Sequence, residues 1–218
     1  MNSPHTLPSE ARAPQQLRGK ARFEKILAEA EQVLLAKGIS GFSIPELAER
    51  LAYTRTSIYH FFPTPYAVLN ELTRRYLIKL EEHVEAAVQQ LGELTWQEMV
   101  YKITEAVADF HNSKPVGRML ILGAMASDES SKALELTIEH LGGQVETLMA
   151  AVNVLLPASN PNARALTVEL GTACLRLSYH FHGVITPEYQ RESARAMISY
   201  LNNFASPEST ALANIPSR

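Results

Sequence analysis

Apolar residues recur along most of this chain with the spacing of an α-helix. The first clear stripe runs through residues 15–37 and comprises Phe23, Ile26, Leu27, Ala30, Val33 and Leu34. Further stripes with the same period follow almost to residue 204, and no segment alternates apolar and polar residues as a half-buried strand does. The pattern therefore predicts an all-α protein.

Small polar residues mark where several of these helices begin. Ser43, Thr54, Thr64 and Thr95 each precede a helical segment, and their side-chain oxygens can accept a bond from a free backbone N–H in the first turn. In two cases, Ser43 and Thr95, a glutamate lies three residues later, which is the spacing of a capping box. These signals separate three N-terminal helices from a bundle of about six further ones.

Hydrogen-bonding side chains are concentrated in the short third helix. The second helix, which carries the apolar stripe Ile44, Leu47, Ala48 and Leu51, and this third helix are joined by a tight turn, the arrangement of a helix-turn-helix. In that motif the second of the two helices enters the major groove of DNA with short donors, acceptors and an arginine. The residues of that kind here are Thr54, Arg55, Thr56, Ser57, Tyr59 and His60. A solvated surface helix is the alternative interpretation.

Charge is distributed unevenly along the chain. Residues 1–65 contain eight basic and six acidic residues, so they carry +2, and the remainder must carry −5 to give the total of −3. A basic N-terminal module on an acidic body fits contact with phosphates at one end only.

The chain shows no sign of secretion or membrane insertion. Its single cysteine, Cys174, cannot form an intramolecular disulfide, which fits a reducing cytoplasm. The N-terminus is polar and rich in proline and serine, and no uncharged apolar stretch approaches about 18 residues. We therefore expect a cytoplasmic protein without a membrane partner.

The span from Phe23 to Leu72 resembles the DNA-binding domain of the tetracycline-repressor (TetR) family. The resemblance rests on Ile26, Leu27, Ala30, Gly38, Phe42, Ser43, the Leu47–Leu51 run, Arg55, Ser57, the Ile58–Phe62 run and Leu69. It covers about a quarter of the chain. Two positions depart from the family pattern, because the turn has Ala52 in place of the usual glycine and the fourth helix begins with Pro65 where a lysine is common.

The resemblance implies a division of the chain and a set of DNA contacts. We expect a disordered head at 1–14, a helix-turn-helix domain at 15–65, a ligand-sensing and dimerisation domain at 66–205 and a flexible tail at 206–218. DNA contacts beyond the third helix are expected from Ser43 and Thr64. Further candidates near the start of the first helix are Arg18, Lys20 and Arg22, for which a solvated flexible arm is an equally good interpretation.

The implied function is that of a dimeric, ligand-responsive transcriptional regulator, a repressor released from operator DNA by a small, largely apolar effector. An activator or co-regulator that responds to a protein partner is the alternative within DNA binding. An all-helical enzyme that retains a relic DNA module is a rival of another class, but no nucleophile motif or phosphate-binding glycine loop supports it.

The second domain offers candidates for an effector pocket and a dimer seam, and ordinary core is the alternative interpretation for both sets. The pocket candidates are Trp96, Ile103, Val107, Phe110, His111, Met119, Leu122, Ile138, Leu141 and Tyr179. The seam candidates, on the last two helices, are Leu170, Cys174, Leu177, Ala194, Met197, Ile198 and Leu201. No histidine lies four residues from another histidine or a cysteine, so we expect no metal site and no cofactor.

Overall fold

The computed structural model describes residues 10–89, 94–123, 128–158 and 160–205. Every regular element within these ranges is an α-helix, apart from an isolated bridge between Val154 and Ala205. The helices are α1 (Leu17–Lys37), α2 (Ile44–Leu51), α3 (Arg55–Tyr59), α4 (Pro65–Gln89), α5 (Trp96–Ser113), α6 (Pro115–Leu122), α7 (Asp128–Ala151), α8 (Ala163–His182) and α9 (Pro187–Leu201). The predicted fold class, three N-terminal helices followed by about six more, is confirmed.

The chain divides into two compact units. The first unit comprises Met1–Tyr76 and Pro115–Ala133, and the second comprises Leu77–Lys114 and Leu134–Arg218. The first unit is larger than the expected domain at 15–65, because it also takes in α6, which packs on α1, and the first half of α4. In this unit the ring of Tyr76 lies so close to Gly117 that an added Cβ would be 2.6 Å from the tyrosine Cδ1.

The two chain ends were predicted to lack structure. Residues 1–9 of the head and the whole tail at 206–218 lie outside the described residues. Residues 10–14 depart from the expectation, because the backbone N–H of Arg12 donates a 2.7 Å hydrogen bond to the Phe61 carbonyl. This segment is therefore attached to the residue that directly follows the helix-turn-helix.

Aromatic rings hold the helices of the first unit together. Phe23 on α1 stacks on Phe62 with ring centroids 4.6 Å apart and meets Phe61 edge-on at 6.0 Å. Both phenylalanines after α3 are buried, as is Ile58, which points inward from α3 itself. The predicted apolar stripes of α1 and α2 are also buried. The short α3 therefore gains its stability from packing, since five residues are too few to form a helix alone.

The turn between α2 and α3 contains a strained residue. Ala52 has φ 52° and ψ 39°, the left-handed conformation in which a Cβ is crowded by the following carbonyl. Its N–H satisfies the end of α2 by donating to the carbonyls of Ala48 and Glu49. The turn thus has the usual shape for a helix end, with alanine at a position that favours glycine.

The second unit has its own core, built where α5, α7, α8 and α9 meet. Trp96, Met99, Met149, Val168 and Leu201 are among its buried members. Two glycines on these helices mark close approaches, since a Cβ would lie 2.7 Å from Met197 Sδ at Gly171 and 2.8 Å from Arg164 Cγ at Gly142. The Gly142–Gly143 pair was expected to kink its helix or to allow a close contact; α7 runs through it as one helix, and the close contact is present.

Candidate nucleic-acid interface

The polar side chains of α3 and its N-cap face outward. Thr54, Arg55, Thr56 and His60 are exposed, and Tyr59 retains 41% of its accessible surface. Because Ile58 and the two following phenylalanines occupy the core, the opposite side of this helical turn is the one left for a partner. A row of hydroxyls, a guanidinium and an imidazole on one short, rigidly supported helix matches the donor and acceptor edges of a DNA groove.

Local hydrogen bonds fix the start of this helix. The Thr54 hydroxyl accepts from the Ser57 N–H at 3.3 Å, while the Ser57 hydroxyl donates to the Thr54 carbonyl at 2.8 Å. Ser57 is half-buried, and with its proton engaged its oxygen keeps only an acceptor role toward other partners. The predicted cap is confirmed, and the Thr54 hydroxyl, whose proton is not used in the cap, remains a hydrogen-bond donor at the helix start together with Arg55 and Thr56.

An open groove of about 890 Å³ is lined mainly by α2 and the turn after it and reaches Arg55 at the start of α3. The ion pairs in this groove determine which of its arginines is available. Glu46 accepts hydrogen bonds from Lys37 at 2.7 Å and from Arg50 at 3.2 Å, and Arg50 also contacts Glu29 at 3.3 Å. The bond from Lys37, ahead of that from Arg50, holds the pKa of Glu46 below its usual value. Arg55, at the edge of the same groove, has no hydrogen-bond or ion-pair partner within the described part of the chain.

The same ion pairs change one detail of the predicted capping boxes. The Ser43 oxygen accepts from the Glu46 N–H at 3.4 Å, but the Glu46 carboxylate is taken by Lys37 and Arg50. At Thr95 both bonds of the box with Glu98 form. Ser43 is half-buried, so its role as a DNA contact stays a prediction.

Basic residues near the start of α1 lie on the helix. Arg18, Lys20 and Arg22 are all exposed within its first two turns, whereas a flexible arm was the alternative for them. Arg22 and Lys25 both lie over the ring of Tyr53, at 5.1 Å and 5.8 Å from its centroid. Tyr53 directly precedes the cap of α3, so this ring holds two cations next to the exposed polar row.

The start of α4 offers a weaker phosphate contact than a lysine at position 65 would. Thr64 is half-buried, and its hydroxyl accepts from the Ala67 N–H at 3.2 Å, which caps the helix before Pro65. Tyr66 is 41% exposed at the same helix start. Free N–H groups in this first turn favour a phosphate, and the Tyr66 hydroxyl can add a donor.

Ion pairs fasten α4 to α1 within the first unit. Arg75 makes two hydrogen bonds to Glu24, at 2.5 Å and 2.7 Å, and one to Glu71 at 2.7 Å. The bonds from Arg75 lower the pKa of Glu24. Burial alone would raise the pKa of Glu71, but the bonds from Arg74 and Arg75 outweigh it and the net shift is downward.

The seam candidates divide into two groups. On α8, Leu170 and Leu177 are exposed and Cys174 is half-buried, and Leu177 keeps 49% of its surface. On α9, Ile198 is half-buried, and three seam candidates are buried within their own subunit: Ala194, Met197 and Leu201. Their place in a dimer seam stays a prediction. Their side chains pack against residues of α5, α7 and α8 in the core of the second unit, so little of their surface is left exposed for a second copy.

A cavity of about 60 Å³ lies inside the second unit. Three of the predicted pocket residues, Ile103, Val107 and Leu141, line it. The other seven do not: Trp96 and Phe110 are buried in the core beside it, His111 is buried at the end of α5, Ile138 and Tyr179 are half-buried, and Met119 and Leu122 belong to α6 in the first unit.

Residues 26–72 match the family model described as bacterial regulatory proteins, tetR family. The match spans α2 and α3 with parts of α1 and α4, and so contains the polar row and the two phenylalanines beneath it, Phe61 and Phe62. The part of the chain that carries the polar row is therefore similar to the tetR family of bacterial regulatory proteins. Among curated proteins, no sequence matches it.

Solved structures share the fold of this chain over most of its length. A TetR-family transcriptional regulator from Streptomyces coelicolor is 18% identical, over 84% of this chain and 99% of the other, with a TM-score of 0.60. SmeT, the repressor of the Stenotrophomonas maltophilia multidrug efflux pump SmeDEF, is 14% identical over 93% and 97%, with a TM-score of 0.55. The multidrug binding protein EbrR, complexed with imidazole, is 17% identical over 90% and 99%, with a TM-score of 0.60.

Two features of the structure were not predicted from the sequence. One is the cation–π contact of Lys25 with the Tyr53 ring, because only the packing of α1 against the turn brings these two residues together. The other is most of the cavity lining, including Val84, Val145 and Thr172, because a cavity wall and a filled core have the same helical pattern in sequence.

Neither a membrane helix nor a metal cluster is found in the described ranges. None of the helices there combines the length and the apolar character needed to cross a bilayer. Within the same residues, no three histidine, cysteine, aspartate or glutamate side chains converge as metal ligands do.

Proposed function

We propose that the protein is a dimeric transcriptional repressor that binds operator DNA through α3 and is released by a small, largely apolar effector. The observation that carries the proposal is the outward polar row from Thr54 to His60, held in place by Ile58 and the phenylalanines beneath it. The proposal makes the protein a cytoplasmic regulator and not an enzyme.

In this proposal Arg55 makes the base contact of highest specificity. Its guanidinium has no competing partner among the described residues and can form a forked pair of bonds with a guanine. Thr54, Thr56 and Tyr59 would bind phosphates or a thymine methyl, and the cations over Tyr53 would neutralise neighbouring phosphates. Arg50, which is held by two glutamates, is left out of the contact set.

A second copy of the chain is proposed to cover the exposed face of α8. Leu166, Leu170, Leu177 and Phe181 are all exposed, and on a helix their spacing of four, seven and four residues places them within one narrow arc. Phe181 keeps 62% of its surface. A row of exposed large apolar residues is costly in water, and a twofold partner would bury it while placing two α3 helices on one duplex.

Effector release is proposed to act through α4, because this helix contributes to both sites. Arg75 on α4 holds α1 through Glu24, and Val84, farther along α4, lines the cavity. An effector that binds a shifted position of α4 better than the resting one would move the equilibrium toward release. SmeT, which represses a multidrug efflux pump, and EbrR, which binds drugs, support a ligand-responsive reading of this fold.

The small volume of the cavity favours one alternative. At about 60 Å³ it is well below the roughly 300–1,000 Å³ of drug-sized ligand sites. A DNA-binding regulator that responds to a protein partner needs no cavity at all, so this remains the second candidate.

The proposal is tested by selecting duplexes from a random pool with the full-length protein at moderate salt. The enriched sequence should be an inverted repeat with half-sites about one helical turn apart. Arg55→Ala should lose about 1–3 kcal/mol of affinity for it. Arg195→Ala, an exposed arginine on α9 paired with Glu192, is the matched control and should bind normally. Failure to enrich any duplex, or normal binding by Arg55→Ala, would refute the proposal.

A further inference from the structure

The cavity of the second unit is lined by seventeen described residues, and none of them is charged or aromatic. Aliphatic side chains and two methionines form most of the wall, with Met149 and Met197 on facing helices. Four side chains bring polar atoms to it: Thr104, Gln144, Thr172 and Ser193. This composition restricts the chemistry of any ligand more sharply than the size of the cavity does.

A charged ligand would be poorly stabilised in this cavity. A cation needs a carboxylate or the face of an aromatic ring, and a carboxylate needs a basic group or several donors. An ion that moves from water into an apolar site loses its hydration, and without such partners no interaction with the protein offsets that desolvation cost. Neutral ligands avoid this cost.

Two of the four polar side chains are already engaged within the protein. The Thr104 hydroxyl donates to the Tyr101 carbonyl at 2.9 Å and accepts from the Gln190 side chain at 3.0 Å. The Ser193 hydroxyl donates to the Gly171 carbonyl at 3.0 Å. These two groups hold α5, α8 and α9 together, and neither has a proton to offer a ligand.

The other two polar side chains keep hydrogen-bonding capacity. The Gln144 amide nitrogen donates to the Glu81 carbonyl at 2.9 Å, and its side-chain oxygen accepts from no group in the described ranges. Thr172 is buried, and its hydroxyl has no hydrogen-bond partner among the same residues. The hydroxyl oxygen itself is not fully buried, so it is accessible to a hydrogen bond from a ligand.

We infer that the cavity binds a neutral aliphatic molecule with a single hydroxyl-type group, and that it rejects cations and carboxylates of the same shape. The inference specifies the ligand of the proposed function and rests on that function only for the effect of binding, which is release from DNA. The ligand's polar group bonds the Thr172 hydroxyl, and its chain contacts the aliphatic wall. Methionine side chains adapt readily, so Met149 and Met197 can make room beyond the resting volume.

The test uses three four-carbon probes that differ in charge, 1-butanol, butylammonium and butyrate, with the full-length protein. Trp96 is the only tryptophan of the chain and belongs to the same core cluster as six lining residues: Val100, Val145, Met149, Val168, Met197 and Leu201. Its fluorescence therefore reports binding without DNA. 1-Butanol should give a saturable change, and the two ions should bind about tenfold more weakly or worse.

Variants at one position separate a specific bond from general packing. Thr172→Val keeps the shape and removes the hydroxyl, so the 1-butanol dissociation constant should rise several-fold. Thr172→Ser keeps the hydroxyl and should bind nearly as tightly as the parent. Val107→Phe fills the cavity and should abolish saturation, which controls for a solvent effect of the alcohol; circular dichroism identifies any variant that fails to fold.

Three results would overturn the inference: butylammonium or butyrate binding as tightly as 1-butanol, no saturable response to 1-butanol, or equal 1-butanol affinity in the parent and Thr172→Val. Failure of the proposed function would look different. In that case the protein would enrich no duplex even without a probe, whatever its fluorescence response.

Discussion

Replacing Ala52 with glycine should stabilise the first unit without altering any contact it makes. The residue occupies the left-handed region at φ 52° and ψ 39°, between the two helices of the helix-turn-helix. Its side chain is exposed, so removing the methyl group opens no cavity. The N–H that closes α2 is a backbone group and remains in place.

The expected gain follows from two opposing effects. A non-glycine residue in the left-handed conformation costs about 1–2 kcal/mol, which glycine avoids. Glycine also enlarges the conformational freedom of the unfolded chain, which costs about 0.4–1 kcal/mol. The net expectation is a gain of about 0.5–1 kcal/mol in the free energy of unfolding. Valine, which is branched at Cβ, should instead lose about 1 kcal/mol or more at this φ.

The measurement is urea denaturation of the two variants and the parent, followed by far-ultraviolet circular dichroism. With a slope of about 2–3 kcal/mol per molar urea, the glycine variant should shift the midpoint upward by roughly 0.3 M. Asn153→Gly is the matched control, since Asn153 also has positive φ, at 57°, but asparagine tolerates this region and the gain should be smaller. A glycine variant less stable than the parent, or a valine variant equal to it, would refute the assigned strain.

Three further outcomes are expected. Leu177→Glu should convert the proposed dimer to monomers in sedimentation velocity, because it places a charge on the exposed apolar face of α8; an intact dimer would disprove that seam. Glu24→Gln should flatten the acid limb of stability: the bond from Arg75 lowers the pKa of Glu24 from its usual 4.5, so its contribution is present above that pH and disappears as the pH falls through the lowered value. The observation that contradicts this is an unchanged acid limb in denaturant titrations between pH 6 and 3. Gly117→Ala should lower the thermal midpoint, because its Cβ would lie 2.6 Å from the Tyr76 ring, at a cost of about 1–3 kcal/mol; an unchanged midpoint would show that the ring yields freely.

Local sequence signals predicted the helix-turn-helix well because its physics is local. Thr54 caps α3 and Thr95 closes its capping box because both interactions span only three residues. The buried side of α3 could be predicted equally well, because Ile58 and the two following phenylalanines are the apolar residues in an otherwise polar segment. In a segment this short, with its apolar side chains on one side, few orientations of the helix bury all of them.

Where a side chain had several partners to choose from, the sequence could not decide. Glu46 has the position of a capping-box residue, yet it lies nearer to Lys37 and Arg50, and only the packing of α2 beside the end of α1 creates those ion pairs. The same ion pairs leave Arg50 engaged and Arg55 available, although both are arginines on exposed helix surface. Charge counts along the chain treat them alike.

The sequence by itself determined the helices, their caps and the polar row of α3, because period and local hydrogen bonds fix these. The tertiary structure alone decided which neighbour each apolar stripe faces. The stripe of α9 fits a dimer seam and an internal core equally well, and the packing of α8 on α9 through Gly171 assigns Met197 and Leu201 to the core. The apolar residues left exposed are those of α8, since a helix pattern records that a face is apolar but not which surface covers it.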